Sequence, residues 1–193
     1  MRKSLSVAAL TLAGFAPGLV QAQAGTYAID PTHTFVTFEV PHFATSTNRG
    51  RFDKKTGTVQ FDRAGRSGKV DISFETVGIN TGTPAFDRHL QSKDFFNSAE
   101  HPAARFVSER FSFNGDKVSE VAGQLTLLGK TLPVTLKATN FNCFMHGMLK
   151  REVCGGDFES TIVRSQWGMT WGLNFGFSDA VRLVIQVEAI RQE

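Results

Sequence analysis

Asp87, Arg88 and His89 fall in one short run with Leu90, Asp94, Phe95 and Phe96, ahead of a His101-Pro102 step. Two chemistries could use such a run. Asp-x-His near a serine is part of what a nucleophilic triad needs. A charged cluster beside paired phenylalanines is what closes the end of an apolar container, and a merely solvent-facing connection has no need of both. The first chemistry lacks its other parts. Gly-x-Ser-x-Gly is absent, and neither cysteine sits in a Cys-x-x-Cys motif. Gly-x-Gly-x-x-Gly and Gly-Lys-Ser loops are missing, and the histidines include no His-x-His or His-Glu-x-x-His pair. No residue is therefore assigned as catalytic, and no metal site or covalent cofactor is expected.

Arg164 is in phase with Phe158 and Ile162, so it faces inward if they do. A buried guanidinium needs a carboxylate or another polar partner. Asp30, Asp87 and Asp94 are candidates for a salt bridge that locks the helical segment to the strands, and this is the favoured reading. The other reading is that Arg164, with Arg88 and His89, meets the polar end of a bound molecule. His33 and His42 bracket the first long strand and read as structural donors. Cys143 and Cys154 have ten residues between them, with His146-Gly147 able to turn the chain. They form either a disulfide, which would stabilise by ~2–3 kcal/mol in the chain-entropy model, or a metal pair with His146 as third ligand, for which the spacing is poor.

The elements that must position these groups are strands. Val70, Ile72 and Phe74 alternate with polar residues, as do Leu132, Val134 and Leu136, and Val181, Leu183, Ile185 and Val187. Period-two patterning predicts strands with one buried face. Turns are expected at Lys55-Thr56-Gly57, 64–68, Asn114-Gly115-Asp116, Leu128-Gly129-Lys130 and Gly155-Gly156. About eight such strands read as an antiparallel sandwich or closed barrel. One helix is expected, over Phe86 to Gln91 or Ser92, with Phe86 and Leu90 at i and i+4. The inward set begins with Phe38 and Val40, then Val70, Ile72 and Phe74, then Phe106. It continues with Leu125 and Leu127, Val134 and Leu136, Phe158 and Ile162, and Leu183 and Ile185, while Phe95 and Phe96 sit near one end. Alternation tells which way these residues face. Whether they fill the interior or leave it hollow stays open.

The chain has 193 residues, 18 of them Phe against 1 Tyr and 2 Trp, which is a large apolar payload with few polar handles. Arg2 and Lys3 precede a small, apolar stretch to Val20, and Val20-Gln21-Ala22 offers a cleavage site. Residues 1–22 thus read as a secretory signal peptide, with a second cleavage site after Ala24, and 25–193 as one domain. Without the leader the formal charge falls from +3 to +1, because Arg2 and Lys3 go with it. The remaining charges are mixed in sign, with no basic stripe for nucleic acid.

Further pieces surround the Asp87 run: Tyr27-x-x-Asp30-Pro31-x-His33-Thr34, Phe38-x-Val40-x-His42 and Gly50-x-Phe52. Within and after it come Thr81-Gly82, Asp87-x-His89-Leu90, Asp94-Phe95-Phe96, Pro102 and Phe106-x-Ser108. Gly123-x-Leu125-Thr126-Leu127-x-Gly129 and Arg164-x-x-x-Gly168-Met169 complete the series. In this order, from Tyr27 to Ile190, the pieces resemble the YceI family of periplasmic lipid-binding proteins. That family often has Arg before the Asp of Asp-x-His-Leu, where this chain has Phe86. The resemblance implies an all-β, antiparallel, eight-stranded lipocalin-like barrel with one short capping helix. It also implies a binding protein rather than an enzyme. The ligand would be a polyisoprenoid lipid, either a prenyl quinone or a polyprenyl phosphate, held in the lumen for transport or storage in the periplasm. Contact with a membrane would be transient, and a homodimer is compatible with a small barrel. Two other roles remain open: a quinone-dependent electron-transfer accessory, and a filled barrel whose surface binds a protein partner.

Overall fold

A computed structural model describes residues 24–193 of the chain; the expected signal peptide lies outside the described residues. Eleven strands and one helix follow in order. They are β1 (Gly25–Ile29), β2 (Phe35–His42), β3 (Ser46–Phe52), β4 (Lys55–Asp62), β5 (Ser67–Glu75), β6 (Ile79–Asn80), α1 (Pro84–Gln91), β7 (Ala103–Asn114), β8 (Lys117–Leu127), β9 (Lys130–Met145), β10 (Glu152–Val163) and β11 (Ala180–Arg191). Every pairing is antiparallel, and contact of β1 with β11 closes the sheet into a barrel.

The eleven strands occupy eight positions around the barrel. Strands β1 and β2 lie end to end along β11, with Ile29 opposite Ala189 and Phe35 opposite Gln186. Between them, Pro31 cannot donate to a ladder. Asp30 instead accepts bonds from the backbone and hydroxyl of Thr32. Strands β3 and β4 form the next position, broken at Asp53-Lys54, and β5 and β6 the third, broken by a 3-10 turn at Thr76–Gly78. The remaining five strands are continuous. The eight-stranded barrel read from the sequence is therefore present, with three of its strands bent.

Two expected turns are not turns. Gly57 lies inside β4, and a Cβ there would come 2.6 Å from the Asp71 carbonyl oxygen. Gly155 and Gly156 lie inside β10, where added Cβ atoms would come 2.1 Å from the carbonyl oxygens of Val187 and Asn140. These glycines serve close backbone approach between strands, where a side chain would not fit. The helix starts two residues earlier than expected, because Pro84 takes the first helical position, where its missing N–H costs nothing.

The two ends of the barrel differ. At one end lie the β2–β3 and β8–β9 hairpins, the 164–179 connection and α1. At the other lie the turns after β4, β7 and β9, where aromatic rings meet: Phe61 is 5.5 Å from Phe141, 6.2 Å from Phe113 and 6.4 Å from Tyr27 between centroids. These rings pack on one another across that half. Tyr27 hydrogen-bonds to Glu152 within it, and burial together with that bond pushes its phenol up to about 12.

Candidate functional site

The half under the helix is hollow. It holds a cavity of ≈ 400 Å³, within the size range of sites that enclose small ligands. Its walls are the alternate residues of the strands. Phe38 and Val40 come from β2, Ile72 and Phe74 from β5, and Phe106 from β7. Leu125 and Leu127 come from β8 and Val134 and Leu136 from β9, and Ile162, Leu183 and Ile185 close the circle from β10 and β11. Phe95 and Phe96, just after α1, form part of the roof, and Phe96 meets Phe52 edge-on at 5.4 Å. Phe158 and Val70 face inward but do not line the cavity; both are buried in the core. The question of hollow against filled thus has a divided answer along the barrel axis.

Few polar groups reach this space: His42, Asn48, His89, Arg164 and Ser178. All five sit at the helix end, where β2 stops, β3 begins, β10 stops and β11 begins. Arg164 is only 5% exposed. Its Nε donates to the Ser178 carbonyl and its Nη1 to the Met169 carbonyl, each at 2.9 Å. The expected salt bridge to Asp30, Asp87 or Asp94 is absent. Asp30 holds His33, Asp87 accepts from the backbone and hydroxyl of Thr81, and Asp94 holds His89. Burial lowers the pKa of Arg164, and the nearby Asp179 pulls the other way. Asp179 is itself bonded to the backbone and hydroxyl of Ser165. Arg164 is thus a buried cation bonded to carbonyl dipoles, with no direct carboxylate partner among the described residues.

His89 stands beside it. Its Nε2 lies 2.8 Å from Asp94, and its ring meets Trp171 edge-on at 4.6 Å and Phe95 at 5.1 Å. Arg88 turns outward on α1, exposed and apart from the cavity, because Phe86, His89 and Leu90 take the inner face. His42 packs against Phe43 and Phe177 at the rim, while His33 is exposed and bonded to Asp30. Cys143 and Cys154 are paired across β9 and β10 and form a disulfide of 2.06 Å. With both sulfurs bonded to each other, the metal alternative fails; His146 Nδ1 instead accepts from the Leu149 backbone.

Several lining residues escaped the sequence reading. Val36 and Val181 continue the alternation of their strands and were legible in principle. Met169, Trp171 and Phe177 come from the 164–179 connection, which has neither strand nor helix period to place them.

Comparison with known proteins fits this architecture. The sequence pattern of the YceI-like domain matches residues 27–189. A UPF0312 protein of Pseudomonas aeruginosa is 38% identical over 200 aligned residues, spanning 100% of both chains. The crystal structure of Burkholderia cenocepacia BcnA superposes with a TM-score of 0.66 at 22% identity, covering 83% of this chain and 98% of BcnA. A polyisoprenoid binding domain from Saccharophagus degradans, implicated in plant cell wall breakdown, gives a TM-score of 0.60 at 14% identity, covering 86% and 98%. At these identities the two structures speak for the shared barrel fold.

Proposed function

The chain belongs to the YceI-like domain family, and on that premise we propose that it is an exported carrier or store for a polyisoprenoid lipid in the periplasm. The observation that carries this reading is the half-hollow barrel: an apolar cavity with its polar groups gathered at one end and its far end closed by packed aromatics. A prenyl chain fits that division. Each methylene it buries gains roughly 0.8 kcal/mol, so the tail needs no polar partner. The head lies at the helix end, where Arg164 and His89 supply donors for a phosphate or a quinone carbonyl. That the related Saccharophagus degradans domain is described as polyisoprenoid binding supports the choice of lipid.

No step of bond making is required of the protein. Arg164 works as a fixed positive end to a largely apolar space, held in place by its two carbonyl partners. Loading and release need the segment around residues 85–98 to swing away, because Phe95 and Phe96 stand over the cavity. The test is uptake of a polyprenyl phosphate and a prenyl quinone by delipidated protein, followed by fluorescence of Trp171, which lines the cavity. Saturable quenching by either lipid supports the reading. A flat response to both removes it.

A further inference from the structure

The β9–β10 hairpin carries an exposed apolar apex at the end of the barrel opposite the cavity mouth. Met148 is 87% exposed, Met145 66%, Leu149 47% and Phe144 46%. Four large apolar side chains within six residues form a patch, whereas one exposed Leu would need no explanation.

The loop is ordered. His146 N–H donates to the Arg151 carbonyl and Lys150 N–H to the His146 carbonyl, both at 2.9 Å, and Leu149 N–H donates to His146 Nδ1 at 3.2 Å. Below it, β9 has no register partner in β8 beyond Lys137, so from residue 138 onward it pairs only with β10. A ribbon with one unsupported side is weak on its own. The Cys143–Cys154 disulfide crosses that ribbon directly beneath the apex. The staple therefore secures an apex that contributes nothing to the cavity and whose apolar side chains, at 144, 145, 148 and 149, stand out of the core.

We propose that this hairpin docks the protein on the surface of an anionic phospholipid membrane. The four side chains sit at or beside a hairpin tip and are 46–87% exposed, so they suit a medium that yields around them. Lys150 follows the apolar residues immediately, and Arg151, 3.4 Å from the Glu193 carboxylate, comes next. In a leaflet the apolar tips enter the acyl boundary while the cations remain at phosphate level, and methionine is the apolar side chain that best adapts to an irregular surroundings. Docked this way, the barrel points its mouth away from the leaflet that holds it. The surface is independent of what the cavity contains.

The test is vesicle flotation of the purified protein with phosphatidylcholine alone and with phosphatidylcholine containing phosphatidylglycerol. The protein should float with the anionic vesicles. The variant M145E/M148E should bind them at least tenfold more weakly, K150E should lose part of the preference for phosphatidylglycerol, and the milder Met148→Ser should fall between. Added salt should weaken binding. Undiminished uptake of cavity lipid by M145E/M148E would show that it folds and would keep this test separate from the carrier reading. No flotation of the unaltered protein, or equal flotation of M145E/M148E, overturns the proposal. So does a sedimentation shift from dimer to monomer in that variant without vesicle binding, since the apex would then join two copies of the chain.

Discussion

The guanidinium carbon of Arg164 lies 5.8 Å from the ring centroid of Phe95. The barrel wall and the cap segment thus meet through a cation over an aromatic face, where a salt bridge had been expected. The difference matters for ligand binding. A guanidinium locked to a carboxylate is neutralised as a pair, whereas one held by two carbonyls keeps its net charge for an incoming acceptor. Replacement of Arg164 by Met should therefore weaken binding of a polyprenyl phosphate by about tenfold or more, the effect of losing one charge-assisted hydrogen bond. Binding of a hydrocarbon with the same tail should barely change. Titration of both ligands against Arg164→Met checks this.

Filling the cavity should separate binding from stability. Leu183 lines the hollow half, and Leu183→Phe would extend into space that is empty. Overpacking a dense core costs about 1–3 kcal/mol; here the cost should stay below that range while lipid uptake drops severalfold. Phe158 is buried outside the cavity, and Phe158→Ala should cost about 3–5 kcal/mol. Urea unfolding of the two variants, beside lipid uptake, reads both effects.

The pair at the β1–β2 bend predicts a titration. Burial works to raise the Asp30 pKa, but bonds from His33 and Thr32 outweigh it and bring the carboxyl to about 2. The same bond raises His33 above 6.5. A depressed carboxyl contributes stability above its unfolded pKa and loses it as pH falls through about 2. A raised imidazole contributes below its unfolded pKa and loses it as pH rises through its folded one. The pair is thus complete between the ordinary carboxylate and imidazole ranges. In an NMR titration the His33 midpoint should lie above 6.5 and fall back toward that value in Asp30→Asn.

Removing the Cys143–Cys154 disulfide should lower stability by ~2–3 kcal/mol, the chain-entropy expectation for so short a loop. Thermal unfolding of the double serine variant measures it. Uptake of cavity lipid should be unchanged, because neither cysteine lines the cavity.

Alternation made most of the barrel legible. Ile72 and Phe74, or Leu125 and Leu127, could be set on the inner face from spacing alone, since a strand offers only two faces. Spacing carries no information about depth along the barrel axis, which is why it does not separate Phe158, buried in the core, from inward residues that line the cavity. Glycines misled where they mark crowding: Gly57, Gly155 and Gly156 resemble turn residues, yet they sit where neighbouring backbones leave no room for a Cβ. Arg164 is buried, as its phase with Ile162 suggests, although it lies just past the end of β10, and spacing does not reveal its partners. They are main-chain carbonyls of Met169 and Ser178, in a connection with no period to read.

The central claim is that the hollow half of this barrel holds a polyisoprenoid lipid. Native mass spectrometry of the protein purified from its own cells, followed by organic extraction, tests it most directly. The predicted result is a complex heavier than the bare chain, losing on extraction a single class of prenyl quinone or polyprenyl phosphate. A bare mass, together with failure of the protein to take up either lipid when added, would contradict it.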